Sequence, residues 1–193
     1  MNASATSSSM RNRRNPEKPK RRNNTMFTGS LVVRPARYTP EKGLHHADNT
    51  DVHHIWALLG GYAKERLLLP RTAEDIQEKI GNFRIAELDG KFVGCIAIRD
   101  YGHSLYEVRS FAVVPEHVGQ GIGSEILAGV IRQMKEAGVP ARLFSLTYRA
   151  HFFMRLGFRI VDKNMFPGKI WSDCAICSKK DNCDETAVLM EFL

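Results

Sequence analysis

The stretch VVPEHVGQGIGSEIL, Val113 to Leu127, decides how this chain is read. Three glycines, Gly119, Gly121 and Gly123, alternate between a strand-like segment, SLYEVRSFAVV, and a helix-like one, SEILAGVIRQMKEAG. A tight turn needs one or two glycines, since each costs conformational entropy on folding. A third implies that something approaches the backbone closely. A strand, a glycine turn and a helix together make an anion site, because the first N–H groups of a helix lack partners and its dipole favours negative charge there. A triphosphate-binding loop would need Gly-Lys-Ser/Thr, which the chain lacks. A dinucleotide turn would need G-x-G-x-x-G, but Ser124 stands where the third glycine belongs. A phosphate cradle of another kind, or a bare turn, remains.

Working outward, Ser30–Tyr38 reads as a strand ending near Pro35. Asp51 is placed to cap a helix with Ile55, Leu58, Leu59 and Tyr62 in helical spacing. Thr72 reads as the N-cap of a second helix, with Asp75 three positions on and Gly81 closing it after about Ile80. FRIAEL and KFVGCIAIRD flank Asp89-Gly90, a type I′ hairpin signal. After the glycines, Ile126, Leu127, Val130, Ile131 and Met134 share a helical face that Gly138 ends. ARLFSLTY is a strand, RAHFFMRLG a short helix, FRIVDKN a strand; a polar Cys-containing loop and a last strand, TAVLMEFL, follow. The order β-α-α-β-β-β-α-β-α-β-β is an α/β (α+β) arrangement with a mixed sheet in one domain, residues 30–193.

The formal charge is +7. Residues 1–30 hold seven Lys/Arg against the single acid Glu17, so the excess belongs to a tail and the rest is close to neutral. The tail, assigned to residues 1–29, has almost no apolar side chains and is expected to be disordered. A transit peptide, an arm for an anionic partner, or a start at Met10 or Met26 are alternatives for it. The near-neutral remainder argues against nucleic acid as a partner. No run of eighteen apolar residues or secretory segment is seen, so a soluble, cytoplasmic protein with no membrane partner is expected. A homodimer is left open.

The quoted stretch, extended to VRSFAVVPEHVGQGIGSEIL, resembles the signature of the GNAT N-acetyltransferases, with its pattern Arg/Gln-x-x-Gly-x-Gly/Ala. Val118 departs from it, which removes a polar side chain but no backbone donor. HFFMRLGF, His151–Phe158, resembles the family's second landmark. The resemblance spans about residues 31–193 and implies a mixed, mostly antiparallel central sheet flanked by helices. It also implies acetyl-coenzyme A as co-substrate. Backbone from Gly119, Gln120, Gly121, Ile122, Gly123 and Ser124 would hold the pyrophosphate. Phe111, Ala112 and Val113 would pair with the pantetheine arm where the strand splays from its neighbour.

Acetyl transfer needs a neutral amine, a donor to the oxygen that gains charge, and a proton for the thiolate. Glu107 is the base candidate, since a partly desolvated carboxylate is a better base. A backbone N–H near Phe111 would stabilise the oxyanion. Many family members have a Tyr where Phe153 stands, and Phe cannot donate a proton; Tyr148, or water, is left as the acid.

LLLPRT, VRSFAV, LTYRAHFFMRLGF and especially KIWSDCAICSKKDNCDETAVLMEF resemble the short, stand-alone amino-acid N-acetyltransferases of arginine biosynthesis, the N-acetylglutamate synthase type. This implies L-glutamate as the small-molecule substrate. Two carboxylates call for fixed cations, and Arg71, Arg109 and Lys169 are the candidates. Cys174, Cys177 and Cys183, spaced C-x2-C-x5-C, offer three thiols where zinc usually takes four ligands; Asp173 or Asp184 would have to complete a set. They are read as reduced loop cysteines near the substrate pocket, with no metal, and Cys95 as a core residue. His45, His46, His53 and His54 lack ligand spacing. Alternatives are a GNAT enzyme for another small amine or a protein N-terminus, and a non-catalytic acyl-coenzyme A-binding module.

Overall fold

The structure is a computed structural model that describes residues 27–43, 50–138, 140–172, 174–177 and 179–192. The side chains of residues 169–171, 176 and 180 lie outside the description, as do the tail to residue 26, His45, His46 and Asp173. Phe27 already packs against the main core.

Seven strands form one sheet: β1 (Leu31–Pro35), β2 (Phe83–Leu88), β3 (Lys91–Asp100), β4 (Leu105–Val113), β5 (Ala141–Thr147), β6 (Arg159–Val161) and β7 (Thr186–Phe192). Their order in space is β1-β2-β3-β4-β5-β7-β6. Every neighbouring pair is antiparallel except β4 and β5. Five helices join them: α1 (Thr50–Lys64), α2 (Ala73–Glu78), α3 (Ile122–Glu136), α4 (Ala150–Arg155) and α5 (Pro167–Ser172). Strand side chains alternate between faces, so consecutive residues feed two cores. Ile85 and Cys95 pack with Val52, Ile55 and Leu59 of α1 and Ile76 of α2. Their neighbours Ala86 and Ile96 pack with Ile122, Ile126, Leu127 and Val130 of α3 and Phe153 of α4. A smaller cluster joins Phe144, Ala187 and Leu189 of β5 and β7 to Phe166, on the face opposite Leu143 and Val188 of the main core. Among the described residues no helix is long and apolar enough to cross a membrane.

The β2–β3 hairpin turns on Asp89 and Gly90 at φ 50° and 76°, both left-handed as a type I′ turn requires. Thr72 caps α2, accepting the Asp75 N–H at 3.2 Å. Four expectations shift. Helix α2 stops at Glu78 and a separate 3-10 turn, Ile80–Asn82, follows. Helix α3 starts at Ile122, inside the glycine run, because Gly121 takes the left-handed N-cap position. The cysteine segment is not all loop: Pro167 opens α5 there. Asp51 is not the cap of α1 but lies in its first turn, buried.

Asp51 has other partners. Arg34 of β1 forks onto both its oxygens, at 2.7 and 3.1 Å, and onto Glu87 of β2 at 2.7 Å. The Arg37 N–H donates to Asp51 at 2.8 Å. Two carboxylates raise the Arg34 guanidinium pKa, the Asp51 hydrogen bond being the main cause, so it stays charged. This fork ties α1 to the sheet edge. Removing the cation strands a buried carboxylate. Arg34→Met should therefore cost about 2–3 kcal/mol in urea unfolding, below a fully buried pair's value because Arg34 keeps some solvent contact.

Candidate active site

Strands β4 and β5 share a ladder only over Leu105–Glu107 and Arg142–Phe144. The Ser145 hydroxyl donates to the Val108 carbonyl at 2.9 Å just beyond it. Strand β4 then runs on to Val113 while β5 stays with β7 to Thr147, so a slot opens between them. Within β4 the register against β3 slips: Ala97 faces Arg109 and Cys95 faces Ala112, leaving Ser110 and Phe111 opposite Ile96. This is a β-bulge, with Ser110 left-handed at φ 47°, a strained position for a non-glycine residue.

The bulge aims backbone donors. The Ser110 carbonyl points to β3, where the Cys95 thiol donates to it at 3.6 Å. The Ala112 carbonyl also faces β3; a Cβ on Gly94 would lie 2.8 Å from it. Across a trans peptide, N–H and the preceding C=O point opposite ways, and cis bonds are absent among the described residues. The N–H groups of Phe111 and Val113 therefore face the slot. The Val113 carbonyl accepts the Tyr62 hydroxyl of α1 at 2.7 Å.

At the end of β4 the glycine turn divides its labour. Gly119 and Gly121 sit at φ 87° and 93°, which side chains resist. Gly123 does not: a Cβ there would meet Val113, Phe152 and Phe111 only at ordinary contact, 3.5 to 3.7 Å. The third glycine is thus not required by the protein's own packing. Glu125 N–H to Gly121 C=O, 3.1 Å, is an i→i−4 bond at the start of α3. The earlier N–H groups, Gly121 to Ser124, are the orphan donors of a helix start. The Gln120 side chain is bound to the turn itself, donating to the Glu116 carbonyl at 2.9 Å, and Ile122 is buried in the main core. Val118 is exposed.

Where β4 and β5 part, charged groups gather. Glu107 is only 2% exposed. The Tyr101 hydroxyl donates to its Oε2 at 3.1 Å, and Arg109 Nη1 lies 3.8 Å from the same oxygen. Arg99, opposite Glu107 in the ladder, stacks over the Tyr101 ring at 4.6 Å. Arg71 reaches in from the turn before α2. Its Nε donates to Asp75 at 2.6 Å and its Nη1 to the Ser110 hydroxyl at 3.1 Å, so it bridges α2 and the bulge. Burial opposes charge on Asp75, but Lys79 and Arg71 outweigh it and hold the carboxyl below its usual value. Tyr148, at the other rim, receives a 3.0 Å hydrogen bond from Lys179. Burial pushes its phenol upward against that bond, so it keeps its proton at neutral pH. Phe153 packs edge-on to Phe111, Phe152 and Phe158.

One groove of about 2500 Å³ joins Arg71, Glu107, Arg109, Phe111–Val113, Gly119, Gly121, Gly123, Ser124 and Tyr148. That exceeds the roughly 300–1,000 Å³ of an ordinary small-molecule pocket and suits a long ligand plus a second reactant. Cys174 and Cys177 also line it. All four cysteines remain thiols. Among the described residues no group of three or more His, Cys, Asp or Glu could hold a metal ion. The backbone of Lys169 lies in α5, but its side chain is outside the description. Sequence reasoning missed Tyr101, Ser110, Tyr62 and Lys179. Only Tyr101 carried a signal, as the residue that leaves β3 toward the strand of Glu107.

A slot beside a bulged strand, ending at a glycine turn and a helix start, offers backbone donors to a long ligand with an anionic end. The chain matches the acetyltransferase (GNAT) family over residues 48–158, and it belongs to that family. It is 38% identical, over 76% of its length and 94% of the relative's, to an uncharacterized N-acetyltransferase of Chlorobaculum tepidum. It is 30% identical to an amino-acid acetyltransferase of Mycobacterium tuberculosis, over 67% of this chain and 75% of that one. Against the amino-acid acetyltransferase of Neisseria meningitidis it is also 30% identical, but it spans only 29% of that protein. N-acetylglutamate synthase from Neisseria gonorrhoeae, solved with coenzyme A and N-acetyl-glutamate, shares the fold at TM-score 0.69 and 23% identity, over 86% of this chain and 36% of that one. A Mycobacterium tuberculosis structure with CoA and NLQ has TM-score 0.65 and 28% identity, over 84% and 99%. The protein is a GNAT N-acetyltransferase, a family whose enzymes use acetyl-coenzyme A.

Gly121→Val should be more damaging than any side-chain change in the turn. Forcing a β-branched residue left-handed costs about 1–2 kcal/mol, which urea unfolding would read. Coenzyme A affinity by calorimetry should fall at least about tenfold as the donors turn away, while Gln120→Ala should change it less than about twofold.

Proposed function

We propose that this chain acetylates the α-amino group of an amino acid, L-glutamate, in the cytoplasm, yielding N-acetyl-L-glutamate and coenzyme A. The observation that carries this is the buried Glu107–Arg109 pair beside the slot-facing Phe111 N–H. Along one groove it combines a proton acceptor, a cation for a carboxylate and an oxyanion donor. Relatives named amino-acid acetyltransferase support the choice of acceptor class.

In this reading the pyrophosphate rests on the N–H groups of Gly119 to Ser124, and the pantetheine arm pairs with Phe111 and Val113. Glu107 takes a proton from the substrate ammonium. The freed amine attacks the thioester carbonyl, and the Phe111 N–H donates to the oxygen as it becomes negative. Collapse breaks the C–S bond; the thiolate takes a proton from Tyr148 or water, and the second proton that the nitrogen sheds on becoming an amide restores that donor. Arg109, with Lys169 and Arg71 as further candidates, holds the substrate carboxylates. Arg71 is already engaged by Asp75 and Ser110, so its contribution is to hold the bulge as well as to supply charge.

The test is thiol release from acetyl-coenzyme A against a panel of amino acids, a polyamine and a peptide. Glutamate should be turned over fastest; turnover of the polyamine or peptide but not of glutamate would sink the reading. Glu107→Gln should cut kcat about 100-fold at neutral pH, a typical share for a general base. The deficit should shrink as pH rises and the amine becomes neutral by itself.

A further inference from the structure

Tyr101 is the hydrogen-bond partner of Glu107 that the proposed chemistry leaves unused, yet its surroundings fix it closely. Its hydroxyl donates to Glu107 Oε2 at 3.1 Å. Its ring lies 5.8 Å from that of Phe144, the β5 residue registered opposite Glu107. Arg99 covers the ring at 4.6 Å. On the remaining side Gly168 of α5 comes so near that a Cβ there would lie 3.3 Å from the ring, tighter than most such contacts allow.

The loop that carries Tyr101 is held just as firmly. Gly102, His103 and Ser104 are left-handed in succession, at φ 76°, 51° and 60°, and two of them are not glycine. Such backbone persists only where surrounding bonds over-determine it, and it gathers at functional sites. Here the Tyr101 N–H binds the Leu105 carbonyl at 2.9 Å, the Gly102 N–H binds Asp100 at 2.7 Å, and the Arg142 N–H binds the Ser104 carbonyl at 2.7 Å. A phenol so restrained, with its hydroxyl on one oxygen of a buried carboxylate, sets the orientation of that carboxylate.

We infer that Tyr101 is a positioning residue for Glu107: it pins Oε2 so that the carboxylate presents itself to the acceptor amine. The inference rests on the reading of Glu107 as the base. Among the described residues the charged groups around the carboxylate include Arg109 on its own strand, Arg99 across the ladder on β3, and Asp100 lining the same groove; β5 contributes Phe144 opposite it, and the Lys169 side chain of α5 lies outside the description.

The experiment is a double-mutant cycle with Tyr101→Phe and Glu107→Gln in the full chain, following thiol release with the amino acid that the unaltered enzyme turns over fastest. Tyr101→Phe keeps the ring and its stacking. It should lower kcat about tenfold at neutral pH, leave the KM for acetyl-coenzyme A and the melting temperature unchanged, and lose its effect toward high pH. In the Glu107→Gln background it should cause no further loss. An equal loss in both backgrounds, a fall in melting temperature that accounts for the loss, or no loss of kcat would each overturn the inference. Glu107→Gln alone reports on the base itself: full activity in that variant would remove the underlying reading, whatever Tyr101→Phe does.

Discussion

After Glu107 and Phe144 the two central strands stop sharing a backbone ladder, and the rest of the site follows from that parting. Backbone donors in a sheet interior are ordinarily paired, and leaving one without a partner costs free energy comparable to a lost hydrogen bond. Here the N–H groups of Phe111 and Val113 are turned away from β3 by the bulge and find no ladder on β5. A strand-like ligand would restore what the sheet gave up. The bulge is itself held on two sides, by Cys95 beneath the Ser110 carbonyl and by Arg71 on the Ser110 hydroxyl. The strain at Ser110 is thus stored in a frame that α2, β3 and β4 build together.

The same parting lets water and substrate reach one end of an otherwise covered sheet. Glu107 is the last residue of the parallel ladder, which explains how a carboxylate can be 2% exposed yet line an open groove. Its environment is polar on one side, from Arg109 and Tyr101, and aromatic on the other, from Phe144. Fold and glycine turn concern the donor. In the proposed reading the acceptor is left to side chains from three separate segments, the turn before α2, strand β4 and the stretch from α5 onward. A shared fold at 23% identity therefore carries the architecture and does not by itself fix the acceptor.

Much of this was legible in the chain because it is local. The Asp89-Gly90 turn, the Thr72 cap, the α3 face of Ile126, Leu127, Val130 and Ile131, and the order of strands and helices all rest on spacing within a few residues. The glycine run announced an anion site for the same reason, and Glu107 and Arg109 share a strand face by simple alternation. Where local logic failed, a distant partner had intervened. Asp51 had the right place for a cap, but Arg34, seventeen residues earlier in the chain, claimed both oxygens. A polar, cysteine-rich segment gave little sign of a helix, yet Pro167 starts α5 there.

The sequence by itself determined the turn that leads into α3, because left-handed backbone geometry is written in glycines. What only the tertiary structure decided is the reacting end. Arg71 reaches Ser110 across 39 positions and Tyr148 meets Lys179 across 31, and no periodicity brings such pairs together. The left-handed Ser110 has no residue-type signature at all; it is imposed by a one-residue slip between β3 and β4, and a register is a property of two strands, not of either one.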